Sequence, residues 1–403
     1  MPSSSTEHVP APEIDTEEMD DSFPFIRGGL FYRLEERLGL ISGDDWHILR
    51  RVIVTLTLTW FPLIVLSFAS GSLQSALGVL KDYRLLARFV IAIPIFIISE
   101  RSISLRFHSS IRQFTRTRII PERDLVQFQR ILASTKKLAN SVVPESLMLI
   151  VVIVLALFVQ RDRFLAVSSW GMQAATGSFQ SLTKAGWYFL LVSEPIYLMM
   201  LTIMLWKWIV WVRLLWKVSR LDLQLTFPHP DRCGGLGFLG FVPEGYAGAI
   251  FGVCAGVGAI WRFDIAHHLA ELHSYYFPGA GLLIGVLLLM FGPLAFFSLR
   301  LTDLRRVGLL QYGVLAHHHA VHFNRKWIAD LPRNEPELLS VPEVSTLYDL
   351  DGKFQLLMSA KFVPIYPACV LETAAVVLVP MLPVLMTEIP LATLLKEILR
   401  ALL

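Results

Sequence analysis

Apolar runs long enough to cross a lipid bilayer recur along this chain and constrain its fold more than any other feature. A transmembrane helix needs roughly 20 predominantly apolar residues, and hydrophobic residues make up 54% of the chain against 17% that are charged. This pattern predicts an all-α fold, a polytopic helical bundle of about seven transmembrane helices whose main partner is the lipid bilayer. The runs lie at residues 48–69, 86–105, 143–160, 186–212, 242–261, 278–299 and 362–388.

Lysine and arginine are concentrated in alternate connections between these runs, which together hold 27 of the 36 basic residues. Because short cytoplasmic connections retain positive charge during insertion, this distribution places the N terminus in the cytoplasm. Three of the basic connections are too long for simple turns, and residues 106–140 and 300–330 in two of them show apolar residues at helical spacing. These connections are predicted to form a cytoplasmic helical base at about 101–142, 213–241 and 300–361. The tail at 1–24, rich in acids, Ser and Pro, is predicted to be disordered, and 25–403 to form the membrane domain.

The most distinctive string is FPHPDRCGGLGFLG, at residues 227–240. In it Asp231 can accept hydrogen bonds from backbone N–H groups, while Gly234 and Gly235 permit positive φ angles. A tight turn before the fifth run accounts for this composition. The alternative is that His229, Asp231 and Arg232 bind an anion, or take part in gating, where the helix begins.

This string resembles the HPDxxGGLGFLG signature of a family of bacterial multi-pass membrane proteins. The segment LQYGVLAHHHAVHFNRKWI, at residues 310–328, is also similar to that family. The resemblance implies a protein of the bacterial inner (plasma) membrane and implies no activity.

Acidic residues inside apolar runs are candidates for an ion pathway, because an ionisable group at bilayer depth is costly and usually faces a cavity or a partner. Glu372, followed by Thr373, falls near the middle of the last run. Glu194, beside Ser193, falls in the fourth run. These residues are expected either to line a pathway for cations or protons or to make buried structural hydrogen bonds.

Two histidine clusters have spacings that suit metal ligands. Asp264, His268 and Glu271 would share one face of a helix, and His318 and His322 are one helical turn apart. The charge distribution puts the two clusters on opposite sides of the membrane, so they do not form one site. Solvated histidines, or a pH-sensing role, are the alternatives.

Glycines at GxxxG spacing occur in the fifth and sixth runs and allow close approach of helix backbones. These glycines are expected either to pack against other helices of the same chain or to form a face towards a symmetry mate or a pore axis. They are Gly248, Gly252 and Gly256 in the fifth run and Gly281 and Gly285 in the sixth.

The leading functional hypothesis is a homo-oligomeric membrane channel, or channel-like conduit, for ions. It rests on isolated carboxylates in the spans, close-packing glycines, a proline-interrupted last run and little length left for a soluble domain. A secondary transporter of a small solute is the alternative, followed by a metal-dependent intramembrane enzyme or a membrane sensor or scaffold. An enzyme is the less favoured class, and no cofactor and no nucleic-acid partner are expected.

Overall fold

The computed structural model describes residues 30–37, 39–40, 47–69, 73–158, 170–171, 182–329 and 342–387. Within these ranges the regular secondary structure is helical and no strand is present, which confirms the all-α membrane bundle. The tail predicted to be disordered, residues 1–24, lies outside the described residues.

We number the helices along the chain. They are α1 (Leu30–Arg37), α2 (Ile48–Ala69), α3 (Leu73–Lys81), α4 (residues 83–116), α5 (Glu122–Ala139), α6 (Val142–Leu155), α7 (Lys184–Val218), α8 (Gly237–Ala266), α9 (Tyr276–Phe291), α10 (Ser298–Phe323), α11 (Pro342–Met358) and α12 (Pro367–Leu385).

Six helical segments among the described residues are long and apolar enough to cross a membrane. They are α2, α5 with α6, α7, α8, α9 with α10, and α12.

The second predicted run, 86–105, is not among these six but forms the middle of α4. It carries Arg88, Glu100 and Arg101, yet Phe89 and Phe96 within it are fully buried. Arg88 and Glu100 are paired with charged side chains of other helices, which lowers the cost of charges at this depth. Ile91, Ile98 and Leu105 are exposed along one face of the same helix. The count of seven crossings depends on including α4.

Contacts at two levels define the relative directions of α2, α4 and α7. Near one end, Arg51 of α2 and Lys207 of α7 both contact Glu100 of α4. Near the other end, Ser193 of α7 donates a hydrogen bond to the carbonyl of Thr59 in α2, and Arg88 of α4 contacts Glu194 of α7. Helix α4 is therefore parallel to α7 and antiparallel to α2, as a returning span requires.

The two proline-interrupted runs contain local changes of helix type. A π-helical turn at Phe189–Ser193 precedes Pro195 in α7, and a 3-10 turn at Val379–Met381 interrupts α12. The last span also begins later than the predicted residue 362, because Pro364 and Pro367 keep the residues before them out of the helical conformation.

Helices extend from one end of the bundle where the cytoplasmic base is predicted. Helix α4 continues to Arg116 and is followed by α5, and α10 packs along α11. The middle part of the base, 213–241, is helical as far as Val218 and again from Gly237, and residues 219–236 between them form an irregular connection.

Candidate functional site

Residues 227–240, the signature loop, are organised around one carboxylate. Asp231 Oδ1 accepts hydrogen bonds from the backbone N–H groups of Cys233 (2.8 Å) and Gly235 (3.2 Å). Its Oδ2 accepts from those of Gly235 (3.0 Å) and Gly237 (2.8 Å). The ring Nδ1 of His229 lies 2.6 Å from Oδ1. Four N–H contacts and one ring nitrogen thus occupy the acceptor capacity of this carboxylate.

Three residues of the loop have left-handed backbone conformations: Arg232 (φ 58), Gly234 (φ 63) and Gly235 (φ 99). The carbonyl of Arg232 accepts the backbone N–H of Lys361 at 2.8 Å. The Arg232 side chain is exposed and does not line the cavity described below. The structure thus brings His229 and Asp231 to the cavity wall without Arg232, whose anion-binding role stays a prediction.

The later glycines of the loop make room for residues 361–366, the pre-span segment that leads into α12. A Cβ atom on Gly240 would lie 2.7 Å from the carbonyl oxygen of Pro364, and one on Gly237 would overlap the Tyr366 hydroxyl. The ring of Phe241 stacks on that of Tyr366, with centroids 5.1 Å apart. The signature loop is thus the surface on which the last span starts.

A half-open cavity of about 480 Å³ lies between the signature loop, the end of α4 and Tyr366. Arg118 reaches its wall from the turn between α4 and α5, where its φ is 51. Among the described residues its guanidinium makes no hydrogen bond or ion pair. The side chains of Gln113, Gln224 and Thr226 also line the cavity, again without a hydrogen-bond partner in the described part of the chain.

Tyr366 supplies a further donor to this cavity. Burial, and then the neighbouring Cys233 and Asp231, raise the pKa of Tyr366 to about 12. Its hydroxyl therefore keeps its proton at neutral pH. The same kind of environment, burial followed by Asp231, raises the pKa of Cys233 to about 11, so this thiol stays protonated as well.

The carboxylate predicted in the fourth run does not face a passage. Glu194 is fully buried, and its Oε1 accepts a hydrogen bond from Arg88 of α4 at 2.7 Å. The neighbouring Ser193 is also fully buried, with its hydroxyl bonded to the carbonyl of Thr59 at 2.7 Å. Within one chain these two residues are therefore parts of a buried helix contact, in which Glu194 Oε2 has no hydrogen-bond partner among the described residues. Their place in an ion pathway stays a prediction.

The carboxylate predicted in the last run is placed differently. Glu372 is exposed on α12, while the adjacent Thr373 is buried and donates its hydroxyl to the carbonyl of Cys369 at 2.8 Å. The structure brings neither residue close to Glu194. Glu372 is thus available to a neighbour or to water, whereas the Thr373 hydroxyl is hydrogen-bonded within its own helix.

Contacts between α8 and α12 define the level of Glu372. The thiol of Cys369 lies 3.5 Å from a carboxylate oxygen of Glu244, and a Cβ on Gly258 would lie 3.0 Å from the carbonyl of Pro380. The two helices are therefore parallel, and Glu372 lies about one turn beyond Cys369. This is near the first turns of α12 rather than the predicted middle of the span, because α12 begins only at residue 367.

A buried network of four charges escaped the sequence interpretation. Arg51 contacts the carboxylates of Glu35 (2.8 Å) and Glu100 (2.7 Å), and Lys207 contacts Glu100 at 2.9 Å. Burial, and then the charge of Glu100, raise the pKa of Glu35 to about 7. The sequence does show Glu100, and likewise Arg88, as charged residues inside an apolar run. It does not show their partners, which come from distant parts of the chain.

The first histidine cluster does not form the helical face that its spacing predicts. Helix α8 ends at Ala266, and His268 has a left-handed backbone (φ 56) beyond it. Asp264 accepts a hydrogen bond from Tyr275 at 2.8 Å, while Glu271 is exposed beside His273.

The second cluster, His318 and His322, is exposed on α10. In the described part of the chain no group of three or more His, Cys, Asp or Glu side chains is placed to hold a metal ion.

The two glycine sets differ. Gly248, Gly252 and Gly256 lie against other helices. A Cβ there would contact Ser99, Phe96 (2.7 Å) and Tyr197 (3.0 Å), respectively. By contrast, a Cβ on Gly281 or Gly285 would meet no atom within 4 Å. The close packing expected of these last two is therefore not made within the described chain.

Comparisons with models of protein families, with curated proteins and with solved structures gave no match.

Proposed function

We propose that this protein is a homo-oligomeric membrane conduit for cations, in which α12 lines a passage between subunits. The observation that carries the proposal is the exposed carboxylate of Glu372 on an otherwise apolar helix face. Ala375 and Val379, three and seven residues further along and on the same face, are exposed as well, Val379 to 50%. A carboxylate in such surroundings is costly against lipid and is accommodated where it faces water or a partner.

The interior of one subunit favours a passage between subunits rather than through one. Glu194 and Glu100 are both engaged by basic side chains inside the bundle. Two cavities among the membrane-level helices, of about 220 and 390 Å³, are lined almost entirely by apolar side chains. Ions need polar groups along their path, and these cavities offer few.

An exposed stripe on α10 supports assembly from identical subunits. Val307, Leu310, Val314, His317 and Val321 are all exposed, and their spacing alternates between three and four residues. This is the heptad spacing of coiled coils, and a second copy of α10 presents the same pattern.

The stripe lies beyond the membrane-level part of the bundle, because the start of α10 packs against the signature loop. A Cβ on Gly234 would lie 3.3 Å from Leu304, and one on Gly308 would lie 2.8 Å from Leu357 of α11. Apolar side chains in this region would contact water in a single subunit. Pairing between copies removes them from water.

Planar-bilayer recording of the purified protein tests the proposal. We expect cation-selective conductance, and we expect Glu372→Gln to lower the cation-to-anion permeability ratio severalfold because it removes the charge at the passage. Glu271→Gln is the matched control, since Glu271 is exposed at the opposite end of α8. Absence of conductance at every voltage and membrane tension, or equal effects of both variants, contradicts the conduit.

A further inference from the structure

The cavity beside the signature loop has an unusual balance of hydrogen-bonding groups. Its side-chain donors have no hydrogen-bond partner among the described residues: the Arg118 guanidinium, the amides of Gln113 and Gln224, and the hydroxyls of Thr226 and Tyr366. Arg118, Gln224 and Thr226 are exposed, and Gln113 and Tyr366 are half-buried. Unpaired polar groups that face a cavity are usually satisfied by water or by a ligand. Five such side chains converge here from three separate parts of the chain.

The one carboxylate of the same cavity is already engaged. Asp231, its carboxylate, receives backbone N–H groups of the loop and the ring of His229. Its negative charge is therefore largely compensated within the loop itself. A ligand entering the cavity meets mainly donors and one unpaired positive charge, so a negatively charged, oxygen-bearing group is favoured.

One wall of the cavity is aromatic. Phe241 stacks on Tyr366, and Phe238 lies beside them in the lining. Flat apolar groups pack well against such rings. The volume of about 480 Å³ lies within the range of roughly 300–1,000 Å³ that is typical of small-molecule sites.

We propose that this cavity binds a small, water-soluble organic anion that combines a phosphate or carboxylate group with a flat apolar portion. Arg118 is the counter-charge, Gln113, Gln224 and Thr226 donate to the anionic oxygens, and the Phe241–Tyr366 pair contacts the apolar part. The binding itself does not depend on the conduit proposed above. Because Tyr366 immediately precedes α12, an occupied cavity holds the start of the last span in place.

The position of the cavity favours a soluble ligand over a lipid headgroup. Gln113 lies thirteen residues beyond Glu100 in α4, which is about 20 Å along a helix. Glu100 is itself level with Arg51 at the start of the first span. The anion-binding end of the cavity is therefore well removed from the apolar part of the bundle.

Isothermal titration of the full-length protein in detergent tests the proposal with three probes: phenyl phosphate, inorganic phosphate and phenol. We expect phenyl phosphate to bind about tenfold or more tightly than either of the others, because only it carries both groups. Arg118→Asn is the decisive variant, since Asn tolerates the left-handed backbone while removing the charge. We expect it to weaken phenyl phosphate binding by about tenfold or more.

Arg116→Asn is the matched control, because Arg116 is exposed at the end of the same helix and does not line the cavity. Thr226→Val, which removes one hydroxyl at constant shape, provides a second variant with a smaller expected loss. No binding of phenyl phosphate at millimolar concentration overturns the proposal, as do equal losses in the Arg118 and Arg116 variants. Displacement of phenyl phosphate by phosphatidylglycerol vesicles but not by benzoate would make the occupant a lipid headgroup and overturn the soluble ligand.

Discussion

Two arginines, one inside α4 and one just beyond its end, have opposite environments. Arg88 of α4 lies within the bundle, is nearly fully buried and contacts Glu194 at 2.7 Å. Arg118, just beyond the end of α4, faces a half-open cavity with no partner among the described residues. The first charge is neutralised by the fold, whereas the second is left available.

The contrast follows from the cost of removing a charge from water. An unpaired guanidinium inside the bundle would lose its hydration without compensation, so its partner is part of the fold. At the cavity, water solvates the guanidinium until a ligand replaces it, and the fold needs no partner there. Paired charges thus mark structural sites in this molecule, and the unpaired charge marks the candidate binding site.

The largest expected effect comes from breaking the buried pair. Arg88→Met leaves Glu194 without its counter-charge, and we expect a loss of about 3–5 kcal/mol in the free energy of unfolding. The double variant Arg88→Met/Glu194→Met should recover most of this loss. Thermal unfolding in detergent, followed by size-exclusion chromatography, measures both variants.

Arg118→Asn completes that test, because its expected effect on the free energy of unfolding is within about 0.5 kcal/mol. If Arg118→Asn destabilises the protein as much as Arg88→Met, the distinction between a structural and an available charge is wrong.

An intermediate effect is expected where the signature loop meets the pre-span segment. Gly240→Ala places a Cβ 2.7 Å from the carbonyl of Pro364, so the segment has to move, at a cost of about 1–3 kcal/mol. Buried Cys369, next along α12, should then react faster with maleimide, as measured by peptide mass mapping. Gly313→Ala on α10 is the control, since a Cβ there meets no atom within 4 Å; unchanged Cys369 labelling in both variants would contradict the proposed contact.

The last expected effect concerns the pH dependence of the four-charge network. Because burial raises the pKa of Glu35 from 4.5 to about 7, the folded protein holds a proton between these values that the unfolded chain has lost. Stability from this group is therefore present at low pH and falls as pH rises through that window. We expect the unfolding temperature to be about 5 °C lower at pH 8 than at pH 5 on account of this group.

Glu35→Gln should remove this part of the pH dependence, whereas Glu36→Gln, one exposed residue further on, should keep it. Parallel pH profiles of the wild type and Glu35→Gln would exclude Glu35 as the titrating group.

The spans were predictable from sequence because each depends on a local run of apolar residues. The boundaries of the spans were less predictable. The last span begins at Pro367 instead of the expected residue 362, because a proline disfavours the helical conformation of the residue before it. The helical face predicted to hold Asp264, His268 and Glu271 does not form, because α8 ends at Ala266.

The candidate site was predictable only in part. The signature pointed to Asp231, whose acceptor role follows from nearby glycines and backbone N–H groups. Arg118 stayed hidden because it lies more than a hundred residues earlier, among many basic residues of similar appearance. Likewise, the burial of Glu194 depends on Arg88 from another helix, and no local pattern reveals that pairing.

The fit between Gly240 and Pro364 also implies an order of biogenesis. A chain emerges from the ribosome N-terminal end first, so the signature loop is complete more than a hundred residues before the pre-span segment exists. The last span therefore packs against a surface of the same polypeptide that was synthesised earlier. Substitutions in the loop would then be expected to act late in membrane integration, on the topology of the C-terminal segment alone.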